Sequence, residues 1–152
     1  MRVLGLRCSN GDYVYVLLEG SKKAPEIIEK GHKIFPKGYT RAQELKWFLH
    51  EIDGLLLKHN VNIVAIKCAE PMARKGNTFV CRVENEAIVQ FVAADKGIKS
   101  VPKKTNRTIA KDLGLKGIAK SLVTDLDCSI IPGFENMDSK LKEAVFVAWS
   151  SL

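Results

Sequence analysis

The side chains of this sequence that could do chemistry are a run of cations, a few isolated acids and four scattered thiols. Between Lys96 and Lys120 stand eight basic residues (Lys96, Lys99, Lys103, Lys104, Arg107, Lys111, Lys116 and Lys120) against one acid, Asp112. The remainder of the chain holds 16 basic and 16 acidic residues, so that run carries the whole net charge of +7. An excess confined to one segment is a local device rather than a general aid to solubility. Thr105, Asn106 and Arg107 stand where a helix would begin, adding amide donors to the charge, and phosphate is the ligand such a combination suits. Lys103, Lys104, Arg107 and Lys111 are its expected centre, with Arg107 and Lys111 on one helical face and Lys104 at the amino end. The expected partner is nucleic acid, held by its backbone through residues 99–120 and therefore without sequence preference.

The thiols and imidazoles point to less. Cys8, Cys68, Cys81 and Cys128 show no C-x-x-C spacing and no histidine at zinc-finger distance, so neither a disulfide framework nor a structural zinc is signalled. Cys8 follows Arg7 and Cys68 follows Lys67; nearby cations lower a thiol pKa, which sets a reactive thiol against the plainer reading of small buried residues. His32, His50 and His59 lack the spacing of a ligand set or a triad, and Trp47 and Trp149 read as packing residues.

These groups need elements to position them. With 152 residues and 46% hydrophobic composition, the expectation is one α/β domain spanning 1–152. The opening apolar run is interrupted by Arg7, too soon for a signal peptide, and no run approaches the ~20 residues of a membrane span, so a cytoplasmic protein with no membrane partner is expected. Asn10-Gly11 between Arg2–Cys8 and Tyr13–Leu18 predicts a hairpin, because both residues tolerate the positive φ of tight turns. Gly20 to Pro25 reads as a polar turn, with a short third strand near 32–35. Thr40 and Gln43 form a capping-box signature, followed by Leu45, Phe48, Leu49, Ile52, Leu55 and Leu56 at helical spacing to about Lys58. Gly54 inside that helix suggests close packing on a sheet.

Val61 to Lys67 is a β-branched run suited to a strand covered on both faces, and Glu70 stands just past its end, where open α/β sheets place their sites. A basic loop, 72–77, leads into a helix over 79–96 with Val80, Val83, Ala87, Ile88, Phe91 and Val92 expected inward and Gly97 as its stop. A last short strand is expected at 98–101. Beyond it come a helix carrying Ile109, Ala110 and Leu113, interrupted by Gly114 and Gly117, then a turn at 129–133. A final helix over 137–151 is expected to bury Leu141, Ala144, Val145, Val147 and Ala148.

That order, with three short motifs, resembles the RNase H-like fold in its RuvC-like branch. Val3-Leu4-Gly5-Leu6-Arg7 is similar to the opening hydrophobic-Gly-hydrophobic-Asp strand, Val64-Ala65-Ile66-Lys67 to the strand ending in a catalytic Glu, and Lys140-Leu141-Lys142-Glu143-Ala144 to the terminal Asp-x-x-Asp-Ala helix. The Glu86-Ala87-Ile88 helix after a basic loop also resembles a small, uncharacterised bacterial family related to RuvC. The resemblance implies a mixed five-stranded sheet with helices on both faces, and a centre in which carboxylates hold two magnesium ions.

Carried over position by position, however, the ligands fall on Arg7, Lys67, Lys140 and Glu143, three cations and one acid. The resemblance therefore implies a degenerate centre with no catalytic residue, no metal and no cofactor, on a module that binds nucleic acid or phosphate and is compatible with a homodimer. The alternative is a magnesium-dependent nuclease with a shifted carboxylate set of Glu70, Asp138 and Glu143. The two readings separate on whether those three acids converge.

Overall fold

Apolar alternation at the start of the chain builds a hairpin. In the computed structural model, which describes residues 1–116 and 121–152, β1 (Arg2–Cys8) runs antiparallel to β2 (Asp12–Ser21), from Arg2 opposite Glu19 to Cys8 opposite Tyr13. Asn10 and Gly11 make the turn, closed by the Ser9 N–H donating to the Asp12 carbonyl at 2.9 Å. β3 (Ala24–Ile34) extends the meander along β2 past a register shift at Leu17/Leu18. This corrects the expected short strand at 32–35 and shrinks the turn before it to Lys22 and Lys23. β3 is a sheet edge, and its adjacent Ile27 and Ile28, set among Pro25, Gly31 and charged residues, break the apolar alternation by which strands are read.

α1 (Arg41–Lys58) opens on the capping box: Gln43 N–H donates to Thr40 Oγ1 at 3.4 Å and Thr40 N–H to Gln43 Oε1 at 2.8 Å. It buries Phe48, Ile52 and Leu56. Gly54 faces open space, so the close sheet contact expected of it does not exist. The helix carries the chain across the sheet, and β4 (Ile63–Lys67) returns parallel to β1, with Val3 opposite Ile63 and Leu6 opposite Ile66. β5 (Lys103–Lys104) completes the order β3-β2-β1-β4-β5, a mixed five-stranded sheet. It lies later than the expected 98–101. Pro102 has no amide hydrogen, so pairing with β4 is split into a bridge from Ser100 to Ile63 and the two-residue strand after the proline.

Helices cover both faces. On one, α5 (Ser139–Trp149) packs with α3 (Asn106–Asp112) and α4 (Leu122–Asp125) over Val3, Val14, Val16 and Ala65. Every residue of α5 from Ala144 to Trp149 is buried, since the sheet lies on one side and Phe134 covers another, its ring 5.2 Å from that of Phe146. Gly5 permits this approach: a Cβ there would meet the Ala144 carbonyl oxygen and lie 2.7 Å from Ala148 Cβ. The turn region expected at 129–133 is two short 3-10 segments, Cys128–Ile130 and Phe134–Asn136. Gly117 and Lys120, which belong to sequence expectations above, lie outside the described residues.

On the opposite face, α1 and α2 (Asn77–Asp95) cover Leu4, Leu6, Tyr13, Leu17, Val64 and Ile66. Here the structure overturns an expectation. α2 buries Asn85, Glu86, Val89, Val92 and Ala93, while Val80, Val83 and Phe91 (64% exposed) point outward. Polar anchors set the rotation: Asn85 Nδ2 donates to the Ser9 carbonyl at 2.7 Å, Arg41 donates to Asn85 Oδ1 at 2.8 Å, and Arg82 donates to the Lys67 carbonyl at 2.7 Å. Apolar periodicity cannot encode such bonds. Among the described residues no helix is long and apolar enough to cross a membrane.

Candidate functional site

Because β1 and β4 are parallel neighbours, their carboxyl ends lie side by side, and α5 crosses behind them. That geometry gathers Arg7, Lys67, Glu70, Lys140 and Glu143. Arg7 Nε donates to Glu143 Oε2 at 2.9 Å, and its Nη1 donates to the Cys8 carbonyl at 3.2 Å and to Ser9 Oγ. Lys67 is 2% exposed, and its ammonium donates to the Cys68 carbonyl at 2.8 Å and to Glu70 Oε1 at 2.7 Å. Lys140 Nζ donates to Asp12 Oδ2 at 2.5 Å, and His32 Nε2 lies 2.7 Å from the same oxygen. Each cation in a position carried over from the nuclease motif has its own carboxylate, as charge withdrawn from water requires.

Electrostatics follow the pairing. Burial pushes the Glu70 carboxyl up, but hydrogen bonds from Lys67 and the Asn106 amide outweigh it and hold the group below the usual carboxylate range. Burial acts upward on Asp12 too, yet hydrogen bonds from Lys140, Ser9 and His32 bring it down to about 2. The thiols are not activated despite their cationic neighbours. Burial, then the charge of Glu86, pushes Cys8 up to about 12, and the same two causes raise Cys68. Cys8 is a fully buried packing residue, and neither thiol is lowered toward reactivity.

The three acids of the shifted nuclease set do not converge. Glu70 is held by Lys67 and by the Asn106 N–H at 2.9 Å, and Glu143 by Arg7. Asp138 is the N-cap of α5, its Oδ1 accepting from the Leu141 N–H at 2.8 Å. Among the described residues no group of three or more His, Cys, Asp or Glu side chains is arranged to hold a metal. The donor set around the carried-over positions does not fit magnesium either, since hard divalent ions take oxygen ligands and three of the four positions present nitrogen cations.

The basic segment is also rearranged by the fold. Lys104, expected at the centre of the phosphate-contacting surface, is 8% exposed, and its Nζ donates to Ser150 O at 3.0 Å and pairs with Asp112 at 2.8 Å. It braces β5 against α3 and α5 and is removed from that surface. Lys103 Nζ lies 2.9 Å from Glu86. The Asn106 amide, expected to be free for phosphate, already holds Glu70. Arg107 and Lys111 remain exposed, and no ion pair holds either among the described residues. Sequence reasoning missed Arg82, and it quoted Glu86 only as part of the Glu86-Ala87-Ile88 motif, without a role. Glu86, 1% exposed, lies 3.1 Å from Arg82 and links α2 to β5 through Lys103. The available signal was an Arg and a Glu four apart, with Asn85 between them, on one face of the helix.

Three solved structures place the chain among known folds. It is similar to RuvC of Thermus thermophilus (13% identity, TM-score 0.77, 99% of this chain over 92% of that one). It is also similar to the T. thermophilus RuvC chain in complex with a Holliday junction substrate (12%, 0.73, 99% over 91%). The third is the yeast mitochondrial Holliday junction resolvase Ydc2 (10%, 0.68, 98% over 76%). The fold is therefore RuvC-like and RNase H-like, and at these identities the likeness extends to the fold alone. No protein-family model matches the sequence. No curated protein matches it.

Proposed function

We propose that this protein is a cytoplasmic nucleic-acid-binding module in which ion pairs have replaced the two-metal centre of the RuvC-like fold. The observation that carries this reading is Lys67. At the end of β4, where the resemblance puts a catalytic Glu, a buried ammonium is bonded to Glu70 at 2.7 Å. A cation there repels divalent ions, and the neighbouring carboxylates are spent on ion pairs, so two-metal activation of water has no basis. Binding rests on the exposed cations Arg107 and Lys111 of α3, with Lys99 and Lys116 beside them in sequence. The Holliday junction substrate in the complex with T. thermophilus RuvC makes branched DNA the first ligand to try.

The test is an electrophoretic mobility assay with branched, duplex and single-stranded DNA at low and raised salt, run with and without magnesium. Binding without cleavage is expected, falling steeply with salt and lost when Arg107 and Lys111 are both changed to Glu. Magnesium-dependent cleavage abolished by Glu143→Ala would overturn this reading and restore the nuclease of Glu70, Asp138 and Glu143. The apolar side chains that α2 turns outward, Val80, Val83 and Phe91, support a homodimer, which sedimentation of the wild type and of Phe91→Glu decides.

A further inference from the structure

A second cationic feature lies apart from α3. The end of β1, the connection after β4, the first turns of α2 and Lys140 enclose a cleft of about 290 Å³. Its lining holds four cations, Arg7, Arg74, Arg82 and Lys140, together with the hydroxyls of Ser9 and Thr78, and no carboxylate. The acids that pair with three of these cations, Glu143, Glu86 and Asp12, do not line it. Arg74 has no ion partner among the described residues. The cleft lining therefore presents donors, although three of its four cations each keep a carboxylate within 3.1 Å behind the lining.

The two half-buried arginines are held in place. Arg7 spends Nε on Glu143 and Nη1 on Cys8 and Ser9; Arg82 spends Nε on Glu86 and Nη2 on Lys67. Each keeps one terminal nitrogen, Nη2 of Arg7 and Nη1 of Arg82, without a protein partner among the described residues. No buried side-chain nitrogen lacks a hydrogen bond there, so these two nitrogens are open to solvent. Guanidinium groups fixed in this way lose little entropy on meeting a planar or tetrahedral oxyanion. The amino end of the 19-residue α2 adds to the same region: it has no side-chain cap and no acid in its first turn, and its Thr78 is part of the lining.

We propose that this cleft binds a phosphomonoester directly, through Arg7, Arg74, Arg82 and Lys140 and without a metal ion. Three of the four cations are already paired. Arg74 and the free Nη2 of Arg7 and Nη1 of Arg82 are the donors left for an oxyanion, and they suit the three terminal oxygens of a phosphomonoester better than the two of a phosphodiester. The volume, near the lower limit of small-ligand pockets, admits a phosphate together with part of the group that carries it. Two sources share this chemistry, a free nucleotide and the 5′-phosphorylated end of a strand. The inference rests on the phosphate-binding reading above in chemistry only, because its residues are different ones.

The experiment is an NMR titration of isotopically labelled protein in EDTA with inorganic phosphate, AMP, and a short oligonucleotide bearing either a 5′-phosphate or a 5′-hydroxyl. Saturable shifts at the amides of Ser9, Asn10 and Thr78 are expected with phosphate and AMP. Arg74→Glu, at a side chain outside every ion pair among the described residues, should weaken them at least tenfold with an unchanged melting temperature. The double Arg107→Glu, Lys111→Glu variant should keep them, so loss of DNA binding and loss of this site are told apart. Tighter binding of the 5′-phosphorylated strand than of AMP assigns the site to strand ends, and the reverse assigns it to free nucleotides. Absent shifts, shifts indifferent to Arg74→Glu, a requirement for magnesium, or equal binding of 5′-phosphate and 5′-hydroxyl strands would each overturn the proposal.

Discussion

Cations at the carboxyl end of the sheet and cations on the adjoining helix α3 are built in opposite ways. At the sheet end, Arg7, Lys67, Arg82, Lys103 and Lys140 each contact a carboxylate from a different turn or element: Glu143, Glu70, Glu86 (shared by two) and Asp12. On α3, Arg107 and Lys111 stand in water, and no ion pair holds them among the described residues. Burial makes the difference, of the cation at Arg7, Lys67 and Arg82 and of the carboxylate at Lys103 and Lys140, whose partners Glu86 and Asp12 are the buried members of those pairs. A charge taken out of water must be paired or the element carrying it does not dock, whereas a solvated charge costs nothing to leave open and contributes little to stability. The first set spends its charge mainly on holding the fold and keeps only spare donors, such as Nη2 of Arg7 and Nη1 of Arg82, for a ligand, whereas the second keeps its whole charge free.

Lys67→Glu is the sharpest way to break that contrast. It buries a carboxylate beside Glu70 where an ammonium now stands, and a loss of about 3–5 kcal/mol is expected in urea unfolding, on the scale of an uncompensated buried charge. Lys67→Met, which keeps the stem and removes the charge, should lose much less, since Glu70 retains the Asn106 amide. Equal stability of Lys67→Glu and wild type would show that the pair does not hold the sheet end.

Acid should loosen the same region next. Asp12 is lowered from 3.8 to about 2 in the folded protein, so the unfolded chain takes up its proton first. The stability this group contributes is complete above about pH 4 and is lost as the pH falls toward 2. Urea midpoints measured from pH 6 to pH 2 should decline over that window, and Asp12→Asn should flatten its part of the decline. A decline of the same size in both proteins would assign it to other carboxylates.

The smallest stability effect is expected on α3. Arg107→Glu with Lys111→Glu should stay within about 0.5 kcal/mol of wild type, as exposed substitutions do, although the same pair of changes removes nucleic-acid binding. A marked drop in melting temperature would place these residues with the structural set instead.

The sequence alone determined those features whose causes are local. Asn10-Gly11 specifies the hairpin through its backbone freedom, and Thr40 with Gln43 starts α1 through two hydrogen bonds three residues apart. The apolar run ending at Lys67 specified an interior strand, and the helix before it required a parallel return. Gly5 stood in its motif as a bare letter, and only packing showed that α5 passes where its side chain would be. The tertiary structure decided the rest. Arg7 meets Glu143 across 136 positions of sequence, and Lys104, one of four similar cations, turns inward because Asp112 and Ser150 wait there. Asp138 serves as a helix cap rather than joining Glu70 and Glu143. The outward turn of Phe91 is set by Asn85, Arg82 and Glu86 against loops and strands from elsewhere in the chain. Short-range sterics and hydrogen bonds are written in neighbouring residues, but which charge meets which depends on elements brought together only by folding.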